Sequence, residues 1–178
     1  MDRGLVLTHG AGSNSSAPLL IAIDDAFRTE GYRALRVDMA FRQRKPFGPP
    51  SPATAAQDRE SLREAVGRMR AVTGGPVILG GHSYGGRQSS MLAAEEPGLV
   101  DALLLLSYPL HPPNKPAQSR TAHFPSLRTP ALFVSGTNDP FGTTEELRAA
   151  IAMMRSTMSG TRPDSCWLPP RRAWRLTG

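Results

Sequence analysis

Gly80-Gly81-His82-Ser83-Tyr84-Gly85-Gly86-Arg87 is the stretch on which the reading of this chain turns. Before it runs a short apolar segment, Pro76 to Leu79, of strand length. After it, Tyr84 to Glu96 reads as a helix stopped by Pro97-Gly98. A G-x-S-x-G sequence between a strand and a helix makes a sharp turn, the nucleophile elbow, which lifts the serine hydroxyl above the sheet edge. Side chains two positions either side of the serine would collide with the neighbouring strand and helix, and glycine stands at 81 and 85. The Tyr84 N–H then opens a helix N-terminus, where backbone donors can hold a developing oxyanion.

The same alternation extends outward from the elbow. Gly4 to His9 is an apolar run, and Ser15 and Ser16 can cap a helix carrying Leu19, Leu20, Ile23, Ala26 and Phe27 on one side. Gly31 ends that helix and Tyr32 to Val37 is a strand. Residues 39–55, rich in proline, glycine and basic residues, read as a loop. Leu62, Ala65, Val66, Met69 and Val72 have helical spacing. Leu99 to Ser107 is a buried strand, residues 108–129 a long proline-containing loop, and Ala131 to Ser135 a further strand. Thr143 and Glu146 form a capping box for a helix with Leu147, Ala150, Ile151 and Met154 at core spacing. Strands alternating with helices predict an α/β fold with a mostly parallel sheet. The reading assigns one domain to residues 1–154 and an atypical basic tail to 155–178.

Composition narrows the function classes. The chain has 178 residues, 39% hydrophobic and 20% charged, enough for one core and too polar for a membrane span. A net charge of +6 invites a nucleic-acid reading. The excess, however, sits in residues 155–178, with five arginines against Asp164, while the body is close to neutral. No nucleic-acid-binding motif accompanies it. The single cysteine, Cys166, allows no internal disulfide and no cysteine metal cage. The N-terminus shows no signal-peptide pattern. The expectation is a soluble, cytoplasmic protein without metal or organic cofactor, binding neither nucleic acid nor membrane.

Two further motifs carry chemistry. His9-Gly10-Ala11-Gly12 follows the first strand, and a glycine-rich turn there can supply a second oxyanion donor, the N–H of Ala11. A dinucleotide role fails because Ser15 stands where G-x-G-x-x-G needs its third glycine. Asp139, in Ser135-Gly136-Thr137-Asn138-Asp139-Pro140, lies at a strand's carboxyl end and later than the serine, as the order Ser…Asp…His requires. The other reading of Asn-Asp-Pro is plain turn chemistry.

Together with Ser107-Tyr108-Pro109-Leu110-His111-Pro112-Pro113 and Gly136-Thr137-Asn138-Asp139-Pro140-Phe141-Gly142, these motifs make the chain resemble the α/β-hydrolases over residues 4–153. More narrowly, it resembles the small group related to dienelactone hydrolase and to the hydrolase-like domain of the testis-expressed and NSL-complex-subunit proteins. The resemblance implies a three-layer sandwich that hydrolyses a small ester, thioester or lactone. It implies Ser83 as nucleophile, Asp139 as acid, and an oxyanion hole at Tyr84 and Ala11, with Gly10 and His9 beside it.

The family's base is a histidine beyond the acid. This chain has His9, His82, His111 and His123, all before Asp139. Three explanations stand: the tail is truncated or out-of-frame sequence, the base is relocated to His123 or His111 ahead of His82, or the domain is a non-catalytic scaffold. Without a base, a serine hydroxyl is a weak nucleophile. A missing last strand leaves a sheet edge open to dimerisation or to cover by Trp167 and Trp174. Arg42-Gln43-Arg44-Lys45 is a loop that could favour an acidic substrate.

Overall fold

The computed structural model describes residues 1–156, so the sequence reading of the tail, including Trp167 and Trp174, lies outside the described residues. Five parallel strands form one sheet in the order β2-β1-β3-β4-β5: β1 (Arg3–Thr8), β2 (Tyr32–Val37), β3 (Val77–His82), β4 (Ala102–Leu106) and β5 (Ala131–Val134). Five helices accompany them: α1 (Pro18–Thr29), α2 (Ala40–Arg44), α3 (Ala55–Thr73), α4 (Tyr84–Glu95) and α5 (Thr144–Ser156). The α/β expectation holds: the sheet is wholly parallel and carries a helix-packed apolar cluster on each face.

Strand periodicity sorts the core into two layers. Along β1, Val6 faces one apolar cluster while Leu5 and Leu7 face the other. Along β4, Leu103 and Leu105 join the first, and Leu104 and Leu106 the second. Leu62, Ala65, Val66 and Met69 of α3 and Leu92 of α4 build the first cluster, which also takes in Leu147, Ala150, Ile151 and Met154 of α5. The second cluster packs Leu20 of α1, with Ile23 and Phe27 alongside. Each leucine sealed in these layers contributes about 2 kcal/mol of burial.

Several local expectations need correction. The cap of α1 is Ala17, with Pro18 opening the helix and no side-chain bond. Ser15 and Ser16 instead give their N–H groups to Asp38 and Asn14. Leu19 and Val72 are 46% and 61% exposed. Both lie off the centre of their helix's buried stripe. Leu20 and Thr73, one residue on, take the inward positions. Residues 39–55 are not all loop. They contain α2 and a single 3-10 turn, Pro52–Thr54. The α2 start is capped from a distant element: Phe41 N–H donates to Asp58 Oδ1 (2.8 Å) and Ala40 N–H to Ser61 Oγ (3.3 Å). The capping box at α5 forms as expected, with Thr143 N–H on Glu146 Oε2 (2.8 Å) and Glu146 N–H on Thr143 Oγ1 (3.2 Å).

Topology places the site. From β1 the chain winds outward to β2, then returns to β3, β4 and β5 on the other side. The order reverses between β1 and β3, so their carboxyl ends border the crevice where open α/β sheets bind ligands. Thr8 is in register with Gly81 and His82 with Leu106, which sets Ser83 just beyond that edge. Among the described residues, no helix is long and apolar enough to cross a membrane.

Candidate active site

The elbow forms as its glycines require. Ser83 has φ +51° and ψ −115°, a conformation non-glycine residues rarely adopt, between the end of β3 and the start of α4. The turn is tight enough to exclude any side chain at its base. A Cβ on Gly85 would stand 2.5 Å from the His9 carbonyl oxygen, and one on Gly86 2.7 Å from that of Gly81. Ser83 N–H pairs with Leu106 O (2.8 Å), which keeps the turn tied to the sheet.

Ser83 opens into a cleft of about 530 Å³ lined by His82, Ser107 and the 136–141 loop, Asp139 included. The serine and the acid singled out in the sequence are thus brought to one cleft. Asp139 also serves its own turn: Oδ1 accepts the Phe141 N–H (2.9 Å) and Oδ2 the Ser135 hydroxyl (3.2 Å). Ser107 is a lining residue that sequence reading missed. Its φ of +46° is as unusual as that of Ser83, and nothing in its local sequence signals it.

Tyr84 begins α4, whose first N–H groups have no partner within the helix. Its side chain turns away, giving its hydroxyl proton to Asp58 Oδ2 (2.8 Å) and packing edge-on to Phe41 at 5.7 Å. Burial and the Asp58 carboxylate hold the phenol well above its usual pKa. Fully buried Asp58 thereby pins the starts of α2 and α4 together.

The His9–Gly12 turn stands opposite. His9 is fully buried and does not line the cleft. Its Nε2 accepts the Met39 N–H (3.2 Å) and its Nδ1 faces Gly10 O (2.9 Å), an arrangement met by the neutral ring with its proton on Nδ1. Burial lowers its pKa and favours that form. Gly10 borders the site: a Cβ there would lie 3.0 Å from His82 Nδ1 and 3.5 Å from Ser83 Cβ. The Ala11 carbonyl is held by Arg42 Nη2 at 2.7 Å. Arg42 corrects the expectation of a basic loop open to an acidic substrate. It is only 7% exposed and spends its guanidinium on the carbonyls of Ala11, Ser13, Lys45, Pro46 and Gly48. It is therefore not available to an acidic substrate.

The histidines are distributed differently from the sequence reading. His123 is not a cleft residue. Its Nε2 meets Ser90 Oγ at 2.8 Å, on α4 two turns beyond Ser83, and its ring stands edge-on to Phe124. Burial, then the charges of Arg87 and Arg59, lower its pKa to about 4, a weak base at neutral pH. His111 ties the long loop to α5 through Glu146 Oε2 (3.3 Å). His82 is the imidazole that lines the cleft beside Ser83. Burial lowers its pKa, and the nearby Asp139 charge works in the opposite direction.

His123 carries a pH prediction. Its folded-state pKa lies below the ordinary 6.5, so the unfolded chain binds a proton that the folded chain refuses. Its contribution is complete above about pH 6.5 and is lost as pH falls toward 4. Urea melts at pH 7 and pH 5 are expected to show a smaller loss for His123→Gln than for wild type. An equal loss in both proteins contradicts the assignment.

Comparison with known proteins gives the family and the fold. The family model described as an alpha/beta hydrolase domain matches residues 1–164. A 2-(acetamidomethylene)succinate hydrolase of Mesorhizobium japonicum is 30% identical over 106 residues, covering 58% of this chain and 35% of that one. The chain thus spans about a third of the length of this curated relative. TT1662 from Thermus thermophilus superposes with a TM-score of 0.71 at 17% identity, over 93% of this chain and 77% of that one. An esterase from Pyrococcus furiosus gives 0.69 at 15% identity, over 88% and 70%. At these identities the two structures speak for the fold.

Proposed function

This chain belongs to the alpha/beta hydrolase domain family, and from that premise we propose that it is a serine acyl hydrolase acting on a small ester, thioester or lactone. Ser83 Oγ attacks the carbonyl carbon and gives its proton to the His82 imidazole. The N–H groups of Tyr84 and Ala11 hold the oxyanion. The tetrahedral intermediate collapses, the leaving alcohol or thiol takes the proton, and water then cleaves the acyl-enzyme by the reverse sequence. Asp139 sits in the same cleft and stabilises the imidazolium.

The observation that carries this reading is the strained Ser83 backbone at the mouth of a cleft shared with His82 and Asp139. A conformation that costs roughly 1–3 kcal/mol is kept where it aims a reactive group. The second reading, a non-catalytic interaction module, draws on one fact: among the described residues, no hydrogen bond reaches Ser83 Oγ. Hydrogen bonds to a nucleophile are often long before substrate binds, so a chemical probe separates the two. A fluorophosphonate, which reacts with activated serines, is expected to label the wild type and not Ser83→Ala, with both proteins melting at the same temperature. A folded wild type that stays unlabelled favours the interaction module.

A further inference from the structure

Ser107 repeats at the end of β4 what Ser83 does at the end of β3. Each directly follows the last residue of its strand, and each is a non-glycine residue at positive φ, +46° for Ser107 and +51° for Ser83. Each ties its N–H to the next strand of the sheet, Ser83 to Leu106 O and Ser107 to Val134 O, both at 2.8 Å. The Leu106 carbonyl belongs to the peptide that leads into Ser107, so the two turns are bonded to one another. Both serines line the same cleft.

The Ser107 side chain has no structural duty among the described residues. From Leu103 to His111 it is the one residue that is not buried. No hydrogen bond among the described residues reaches its hydroxyl. Glycine takes up a positive φ without the penalty that a side chain adds, yet serine stands here. Strained non-glycine positions gather where they aim a functional group, and this strain comes with an uncommitted hydroxyl at the cleft.

Sheet order says what that hydroxyl can meet. β1 and β4 flank β3 on opposite sides. The oxyanion turn follows β1, so Ser107 stands across Ser83 from it and does not share the oxyanion. The His82 ring leans to the β1 side, its Nδ1 3.0 Å from where a Gly10 Cβ would stand. A leaving group that takes its proton from His82 lies on that side too. The acyl chain is left to run toward β4.

We propose that Ser107 is a specificity-determining residue whose hydroxyl donates a hydrogen bond to an oxygen on the acyl chain. The substrates are then esters of short, oxygen-substituted acids in preference to plain alkyl acids. This rests on the reading of Ser83 as the nucleophile. A site that hydrogen-bonds a substrate oxygen disfavours the analogue with a methylene in its place, because its own polar group is left unpaired.

Two esters test this: p-nitrophenyl methoxyacetate and p-nitrophenyl butyrate, which differ by an ether oxygen in place of a methylene. kcat/KM for both is measured in wild type, Ser107→Ala and Ser107→Gly. The methoxyacetate-to-butyrate ratio is then compared between proteins, which cancels the intrinsic reactivities of the esters. The ratio is expected to fall by about tenfold in each variant. Ser107→Gly should also melt about 2–4 °C above wild type, because strain is relieved and no hydrogen bond is lost. An unchanged ratio, or an equal fall for both esters, overturns the proposal. So does a Ser107→Gly protein that melts below wild type, since the side chain would then serve the fold. Fluorophosphonate labelling separates the two possible failures. A labelled wild type that hydrolyses neither ester, or whose ratio ignores residue 107, overturns this inference alone. An unlabelled, folded wild type overturns the Ser83 reading and this inference together.

Discussion

Alanine at Gly81 is expected to destabilise the protein by more than about 3 kcal/mol, a large part of the stability of an ordinary domain. The new Cβ would stand 2.4 Å from Gly85 C and Gly86 N and 2.6 Å from Gly85 O. All three are backbone atoms, so no rotamer change relieves the contact. Gly81 is also paired with Thr8 on one side and Leu105 on the other, in the centre of the sheet. Neither the strand nor the helix can move away without breaking register. Gly67→Ala supplies the contrast. Gly67 lies within α3 with open space where its Cβ would stand, and alanine there should stabilise by about 0.5–1 kcal/mol. Urea unfolding of the two variants measures both effects. A Gly81→Ala protein as stable as wild type would mean that the elbow is looser than described.

Replacement of Arg42 carries the second large effect. Arg42→Lys leaves one point of charge where five carbonyls now share a guanidinium fork. Lysine has three donors on a flexible stem and cannot span both the 11–13 turn and the 45–48 loop. A loss of about 2–4 kcal/mol is expected from the unpaired carbonyls and the buried charge. The functional loss should exceed the stability loss, because Arg42 anchors the carbonyl of Ala11, the residue whose own N–H is the proposed oxyanion donor. Fluorophosphonate labelling of Arg42→Lys, measured below its melting temperature, is expected to be about tenfold slower or worse. Wild-type stability and labelling in Arg42→Lys would show that the clamp does not govern the oxyanion turn.

The elbow was legible in the sequence because its constraints are local. Glycine at 80, 81, 85 and 86 around a serine, between an apolar run and a helical one, leaves few geometries open. The α5 capping box is legible for the same reason, since both bonding partners lie within four residues. What escaped depends on distant partners. α2 is capped by Asp58, seventeen residues further on, so a proline- and glycine-rich segment gave no sign of it. Arg42 reads in sequence as one charge in a basic loop because its acceptors are backbone carbonyls, which no side-chain pattern signals, and two of them, Ser13 and Ala11, lie 29 and 31 residues earlier. The histidines were ranked by loop position, which placed His123 ahead of His82. The fold instead sends the His123 loop over the flank of α4 and brings His82 to the cleft rim. The turn around Ser83, with its positive φ, leaves His82 and Ser83 lining one cleft.

The central claim is that Ser83 is an activated nucleophile, and site-mapped covalent modification reads it most directly. Intact-mass analysis after fluorophosphonate treatment, followed by peptide mapping, should find a single adduct on Ser83. It should find none in Ser83→Ala and a rate reduced by about a hundredfold or more in His82→Gln. An unmodified but folded wild type, or an adduct on a different serine, would contradict the account.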